Sequence, residues 1–138
     1  MDAAIFNVII GNADAHGKNF SRLYASSGLR LVPPYDLPCT SFYSEVHASL
    51  AMRMGGVNRL EEFTPESLPG FAAQVELGEP YVCLRAQALA KLAGPAIVRA
   101  ADGFAANGFG TETIRAIGRH VVDRRRRLLD VIAATTRV

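Results

Sequence analysis

The chain opens on Asp2-Ala3-Ala4-Ile5-Phe6-Asn7-Val8-Ile9-Ile10-Gly11, in which Ile5, Phe6, Ile9 and Ile10 recur at helical spacing. The pattern predicts a short buried helix, with Asp2 able to cap its start and Gly11 able to end it. Two β-compatible runs follow, Phe20 to Tyr24 and Leu29 to Val32, separated by Ser26-Ser27-Gly28. That composition suits a tight antiparallel connection and predicts a hairpin. Pro33-Pro34 then fixes the backbone φ and removes two amide donors, so the strand stops and Tyr35-Asp36-Leu37 emerges on an extended loop. His47 to Met54, closed by Gly55-Gly56, is too short for its period to decide between strand and helix.

Beyond Gly56 the signals are helical. Thr64-Pro65-Glu66 offers an N-cap, a first-position proline and an acid in the first turn, predicting a helix from about Pro65 to Leu77. Gly78-Glu79-Pro80 predicts a second helix to about Ala93, and Gly94-Pro95 repeats the device for a third ending near Asn107-Gly108. Thr111 is expected to cap a last helix, whose Ile114, Ile117, Val121, Leu128 and Ile132 form an apolar stripe for docking on the others. No fixed-period repeat, low-complexity tract or Ser/Gly linker divides the chain. The expectation is one α+β, mainly α-helical domain in which residues 1–56 carry the loops and residues 57–138 a helical subdomain. The hairpin needs cover from other elements, because an isolated two-stranded ribbon is marginal.

Composition narrows the function classes. The 138 residues are 49% hydrophobic and 20% charged, with a net charge of +2 and a pI near 8.7, too mild to argue for nucleic acid or a membrane surface. No apolar run approaches the roughly 20 residues of a membrane span, and Met1-Asp2-Ala3 lacks a secretory leader's basic start, so a cytoplasmic protein is expected. Cys39 and Cys83 have no CxxC partner and read as reduced thiols. From Arg115 onward seven arginines face two acids, Asp123 and Asp130. Four of them, Arg124 to Arg127, span about one helical turn and point all round it, which reads as a solvated surface and against direct nucleic-acid binding. The four tyrosines do not alternate with basic residues as a stacking platform would require.

The densest polar cluster is Gly11-Asn12-Ala13-Asp14-Ala15-His16-Gly17-Lys18-Asn19-Phe20-Ser21. It is not a phosphate-binding P-loop: five residues, where that motif has four, separate Gly11 from Gly17, and Asn19 follows Lys18 in place of Ser or Thr. Phosphotransfer of the protein-kinase kind asks for an Asp that orients the attacking hydroxyl and an Asn five residues on that ligates magnesium, the spacing of Asp14 and Asn19. A further carboxylate must complete the metal shell, and Asp36, beyond the hairpin, is placed to supply it. Taken singly these residues read as two turn formers and a strand-end cap.

Taken together, they resemble a known family, the HipA-type serine/threonine kinases of bacterial toxin–antitoxin systems. Asn12-x-Asp14-x-His16-x-Lys18-Asn19-x-Ser21 resembles that family's catalytic-loop signature, Tyr35-Asp36-Leu37 its metal-binding loop, and Leu50-Ala51-Met52-Arg53-Met54-Gly55-Gly56 a softer third match. The resemblance implies the C-terminal, large-lobe part of a protein-kinase-like fold, with a short β-hairpin between the catalytic and metal-binding loops. It implies Asp14 as catalytic base, Asn19 and Asp36 as ligands of Mg²⁺ with ATP, and His16 and Lys18 as catalytic-loop residues, one of which faces the γ-phosphate. His16 reads equally as a structural histidine that pins the loop. The implied partners are a protein substrate and a HipB-like helix-turn-helix antitoxin. Relatives carry an N-terminal lobe that clamps the nucleotide, which this sequence lacks, so little activity is expected of the chain alone unless the lobe is supplied in trans. The rival readings are a non-catalytic truncated module that binds an antitoxin or a separate small lobe, and a small-molecule kinase on the same plan.

Overall fold

A computed structural model describes residues 1–46 and 49–135. Helix α1 (Asp2–Ile10) ends at Gly11, whose φ of 76° is the left-handed conformation that glycine adopts without a Cβ penalty. The Gly11 N–H donates to Val8 O and the Asn12 N–H to Asn7 O, the paired bonds of a Schellman ending. Ile5, Val8 and Ile9 are buried together with Asn7, whereas Phe6 and Ile10 are only half-buried, so the inward face is rotated from the one the apolar spacing suggested. Asp2 is not the cap: it lies inside the first turn and forms an ion pair with Arg85.

Strands β1 (Arg22–Ala25) and β2 (Gly28–Leu31) form the expected hairpin, with Arg22 opposite Leu31 and Ala25 opposite Gly28. The connection is therefore Ser26-Ser27 alone, and the strand limits move by one or two residues from those expected. A second hairpin joins β3 (Ser49–Met54) to β4 (Val57–Arg59), which decides the open reading in favour of strand. Its turn needs positive φ at both central positions, and Gly55 and Gly56 supply 61° and 87°. His47 and Ala48, at the head of that run, lie outside the described residues. The Ala51 N–H donates to Ala13 O at 2.8 Å, so β3 hangs directly on the loop that follows α1.

Helix α2 (Ser67–Gln74) begins later than expected. The Thr64 hydroxyl donates to the Glu66 carboxylate at 2.7 Å, while Ser67 Oγ accepts the Thr64 N–H, making a turn ahead of the first helical residue. The two helices expected on either side of Gly94-Pro95 are one, α3 (Glu79–Ala106), with Pro95 inside it. Gly94, having no Cβ, removes part of the clash that proline imposes on its predecessor, so the helix continues even though Pro95 has no N–H to donate to Lys91 O. Arg125 then donates to Ala90 O at 2.6 Å, and its guanidinium lies where a Cβ on Gly94 would stand. Helix α4 (Thr111–Thr135) folds back along α3, with Ala90 beside Arg125 and Ala101 beside Gly118. The capping role expected of Thr111 concerns a side chain outside those described.

The core joins Ile5 and Ile9 of α1, Leu68 and Phe71 of α2, Val82, Ala86 and Ala90 of α3, and Val121, Leu128 and Ile132 of α4. Ile114 and Ile117 complete the expected α4 stripe only as half-buried residues. The expectation of a solvated arginine run is corrected for two of its four members. Arg124 keeps only 9% of its side chain exposed, donates to Val8 O at 3.2 Å and pairs with Glu61 at 3.8 Å. Arg125 is committed to Ala90, and Arg126 remains on the surface with Asp123. The run does point all round the helix, and α1 and α3 occupy two of its sides. Cys39 and Cys83 are free thiols, each pushed above its ordinary pKa chiefly by burial. Among the described residues no helix is long and apolar enough to cross a membrane.

His120 on α4 has its pKa held below the ordinary value, first by burial and then by Arg124 and Arg127, against the opposing pull of Asp123 and Glu61. The folded chain thus binds this proton more weakly than the unfolded chain does. Its contribution to stability is full above the unfolded histidine pKa of about 6.5 and declines as the pH falls below it. Thermal melts should show the difference in Tm between wild type and His120→Gln shrinking or reversing on acidification from about pH 7.5 to about pH 5. A difference independent of pH would assign the titration to other groups.

Candidate active site

The Schellman ending of α1 delivers the chain into the loop Asn12 to Asn19, and buried amides organise that loop. Asn12 is 2% exposed. Its Nδ2 donates to Asn7 Oδ1 at 3.0 Å and to Asp36 O at 3.3 Å, and its Oδ1 accepts the Asp14 N–H at 3.0 Å. One side chain therefore ties the helix, the Asp14 turn and the Asp36 loop together. Asn7 is held in turn by donation to Ala3 O. Thr40, in a short 3₁₀ turn over Thr40–Phe42, closes the other side: its hydroxyl accepts the Ala13 N–H at 2.7 Å and donates to Gly11 O at 3.2 Å.

Asn19 and Asp36, seventeen residues apart, meet directly, with Asn19 Nδ2 donating to Asp36 Oδ2 at 2.6 Å. The orientation of the Asn19 amide is set from both ends, because its Oδ1 accepts the His16 N–H at 3.0 Å. Asp36 has φ 54°, a left-handed conformation uncommon outside glycine and tolerated best by Asn and Asp. It is held there at its carbonyl by Asn12 and at its carboxylate by Asn19. Two further motif residues brace the same pair of loops: the Tyr35 hydroxyl donates to Lys18 O at 2.7 Å and lies 2.9 Å from Ser21 Oγ, which is left to donate to it.

Asp14 and Lys18 are exposed beside this frame. His16 is half-buried at the head of the 3₁₀ turn Gly17–Asn19, where it and Asn19 close a capping box. The described residues assemble no group of three or more His, Cys, Asp or Glu that could cage a metal. The Asp36 carboxylate suits a hard cation that completes its octahedron with water and phosphate oxygens, whereas Asn19 turns its Nδ2 to Asp36 and its Oδ1 to the His16 N–H, so its carbonyl joins such a site only with the amide turned over. Of the residues that the sequence singled out, Asn19 and Asp36 are in contact, Asp14 is joined to them through Asn12, and His16 through Asn19. Asn7 and Thr40 escaped the sequence reading. Asn7 carried a signal, as a polar residue inside an otherwise apolar turn of α1, and Thr40 carried none.

This loop, hairpin and loop on a helical lobe form the fold of a HipA C-terminal region. A chain of the Shewanella oneidensis MR-1 complex of HipA, HipB and operator DNA superposes with a TM-score of 0.79 over 99% of this chain and 32% of its own length, at 23% identity. The family model described as HipA-like C-terminal domain matches residues 1–103, and the chain belongs to that family. The Sinorhizobium fredii protein named "Putative kinase Y4mE" is 41% identical over 99 residues, covering 72% of this chain and 24% of that protein. The Serine/threonine-protein kinase toxin HipA of Shewanella oneidensis is 42% identical over 65 residues, covering 47% of this chain and 14% of that one. The chain thus spans about a quarter of the first relative's length.

The frame's weight on Asn12 is measurable. Asn12→Ala leaves the Asp14 N–H and Asn7 Oδ1 without partners and opens a void, and should cost about 3 kcal/mol in urea unfolding. Gly11→Ala forces a Cβ into left-handed backbone and onto Ser41 Oγ, and should cost about 2 kcal/mol or more. A loss below about 0.5 kcal/mol at either position would mean that the loop is held by other contacts.

Proposed function

We propose that this chain is the C-terminal catalytic portion of a HipA-like serine/threonine protein kinase, transferring the γ-phosphoryl group of ATP to a hydroxyl of a protein substrate. Asp14 is the base: it orients the attacking hydroxyl and accepts its proton as the new P–O bond forms and the bond to the ADP oxygen breaks. Asn19 and Asp36 hold the metal. Mg²⁺ supplies, when bound, neutralisation of the phosphate charge and alignment of the transferred group. His16 and Lys18 stand on the same loop, and one of them faces the γ-phosphate. The observation that supports the reading is the 2.6 Å hydrogen bond from Asn19 to Asp36, which brings the loop that follows α1 against the loop that follows the first hairpin.

The same reading divides the chain into the loops of residues 1–56 and the helical subdomain of residues 57–138, in a cytoplasmic protein. A HipB-like helix-turn-helix antitoxin is the proposed partner, supported by the Shewanella neighbour's complex with HipB. A nucleotide-clamping lobe, on the same polypeptide or in trans, completes the site. A second reading, a non-catalytic interaction module, is favoured by the apolar hairpin surface, where Tyr24 is 83% exposed and Leu29 and Leu31 lie open beside it.

Calorimetry of the purified chain with ATP and Mg²⁺ separates the two readings. The kinase reading expects Mg²⁺-dependent binding, weakened about 10-fold or more by Asp36→Ala and retained in Asp14→Ala, which abolishes transfer once the lobe is restored. Absence of binding in wild type and variant alike, with the lobe restored as well as without it, would leave the interaction module as the reading of this chain.

A further inference from the structure

The Thr40–Phe42 turn that clamps the Asp14 loop is itself held from outside, by α4. The Ser41 N–H donates to Gly11 O at 2.9 Å, beside the two Thr40 bonds to Gly11 and Ala13. Ser41 Oγ occupies the space that a Cβ on Gly11 would fill and lies 2.9 Å from His120 Nε2, across 79 residues of sequence. The Phe42 ring meets the His120 imidazole edge-on, with centroids 5.9 Å apart at 77°. One helical turn further along the same face, Arg124 donates to Val8 O in the last turn of α1. A single face of α4 thus grips both the helix that feeds the loop and the turn that closes it. Both residues lie beyond the segment matched by the family model.

We propose that His120 is a positioning residue for the Asp14 loop: through Ser41 it seats the Thr40–Phe42 turn, which fixes Gly11 and Ala13 and hence where Asp14 stands relative to Asp36. The hydroxyl is the coupling element, because the backbone bonds of the turn remain when it is removed, and only their registration on α4 is lost. The consequence for the loop rests on geometry alone, whereas the consequence for ligand binding rests on the function proposed above.

Amide hydrogen exchange at about pH 7.5, where His120 is neutral, tests the idea in the intact chain. His120→Ala and Ser41→Ala should each speed exchange at the Ala13 and Ser41 amides about 10-fold or more, with no further gain in the double variant, since the two residues act through one contact. His120→Gln, which can bond to the same hydroxyl, should restore protection, and amides in the middle of α3 should not respond. Unchanged exchange at Ala13 and Ser41, or a rise shared equally by α3, would overturn the proposal. Ser41→Ala keeps the test available should His120→Ala fail to fold. Mg²⁺-ATP titration of the same variants separates the two levels. A looser loop with unaltered affinity would overturn the positioning role, whereas a looser loop in a chain whose wild type binds no nucleotide, even with the lobe restored, leaves the positioning intact and removes the kinase reading.

Discussion

A buried amide side chain, Asn12, is the point on which the site depends. An amide in a protein interior must satisfy its donors and acceptor locally, because each unmet group costs on the order of 1–3 kcal/mol. Asn12 meets that demand by reaching Asn7, Asp14 and Asp36 at once, so the condition for burying it is that α1, the catalytic-type loop and the metal-type loop adopt one mutual arrangement. The arrangement is specific in a way that an apolar residue of similar volume could not make it. Dispersion contacts tolerate sliding, whereas these hydrogen bonds do not.

Around that point the helices work as a rigid backing. Small residues on α3, Ala86, Ala90, Ala93 and Gly94, let α4 approach closely, and Arg125 enters the groove they leave to bond to Ala90. Arg124 extends the backing to α1 through Val8 and Glu61, with its pKa lowered chiefly by burial. A buried guanidinium is tolerable only when its donors are engaged, and a helix-end carbonyl together with a carboxylate engages them. The site residues stand on loops beyond α1, where Asp14 and Lys18 face solvent. Rigid elements fix the frame and exposed loops present the chemistry.

The N-terminal hairpin contrasts with this. β1 and β2 are fully paired with each other yet leave Tyr24, Leu29 and Leu31 open, whereas the second hairpin is hung on Ala13 and packs its Gly55 turn against Ser67 and Gly70 of α2. Exposed apolar groups clustered on a two-stranded ribbon are the feature that favours the interaction-module reading.

Much of the local structure was legible in the sequence because it depends on neighbours only a few residues away. Gly11 ends α1 and Ser26-Ser27 turns the first hairpin for steric reasons that act within four residues, whereas the second hairpin, turned by Gly55-Gly56, was left open by its short period. The grouping of Asp14, Asn19 and Asp36 was legible only as a family spacing, and the contact between Asn19 and Asp36 is what the folded chain adds to it. Proline at position 95 misled, since its effect on a helix is conditional on the residue before it and on a partner helix to hold that turn, and both are present. The arginine run misled in the same way: its periodicity stated that the side chains radiate, but not that α1 and α3 would lie on two of the sides. Asn7 to Asn12, Thr40 to Ala13 and Ser41 to His120 could be found only in three dimensions, because a hydrogen bond between residues up to 79 apart is decided by which elements pack. Sequence by itself determined α1, the first hairpin, the helical character beyond Gly56 and the family; tertiary packing decided how the helices join, which polar groups were buried and therefore which had to meet.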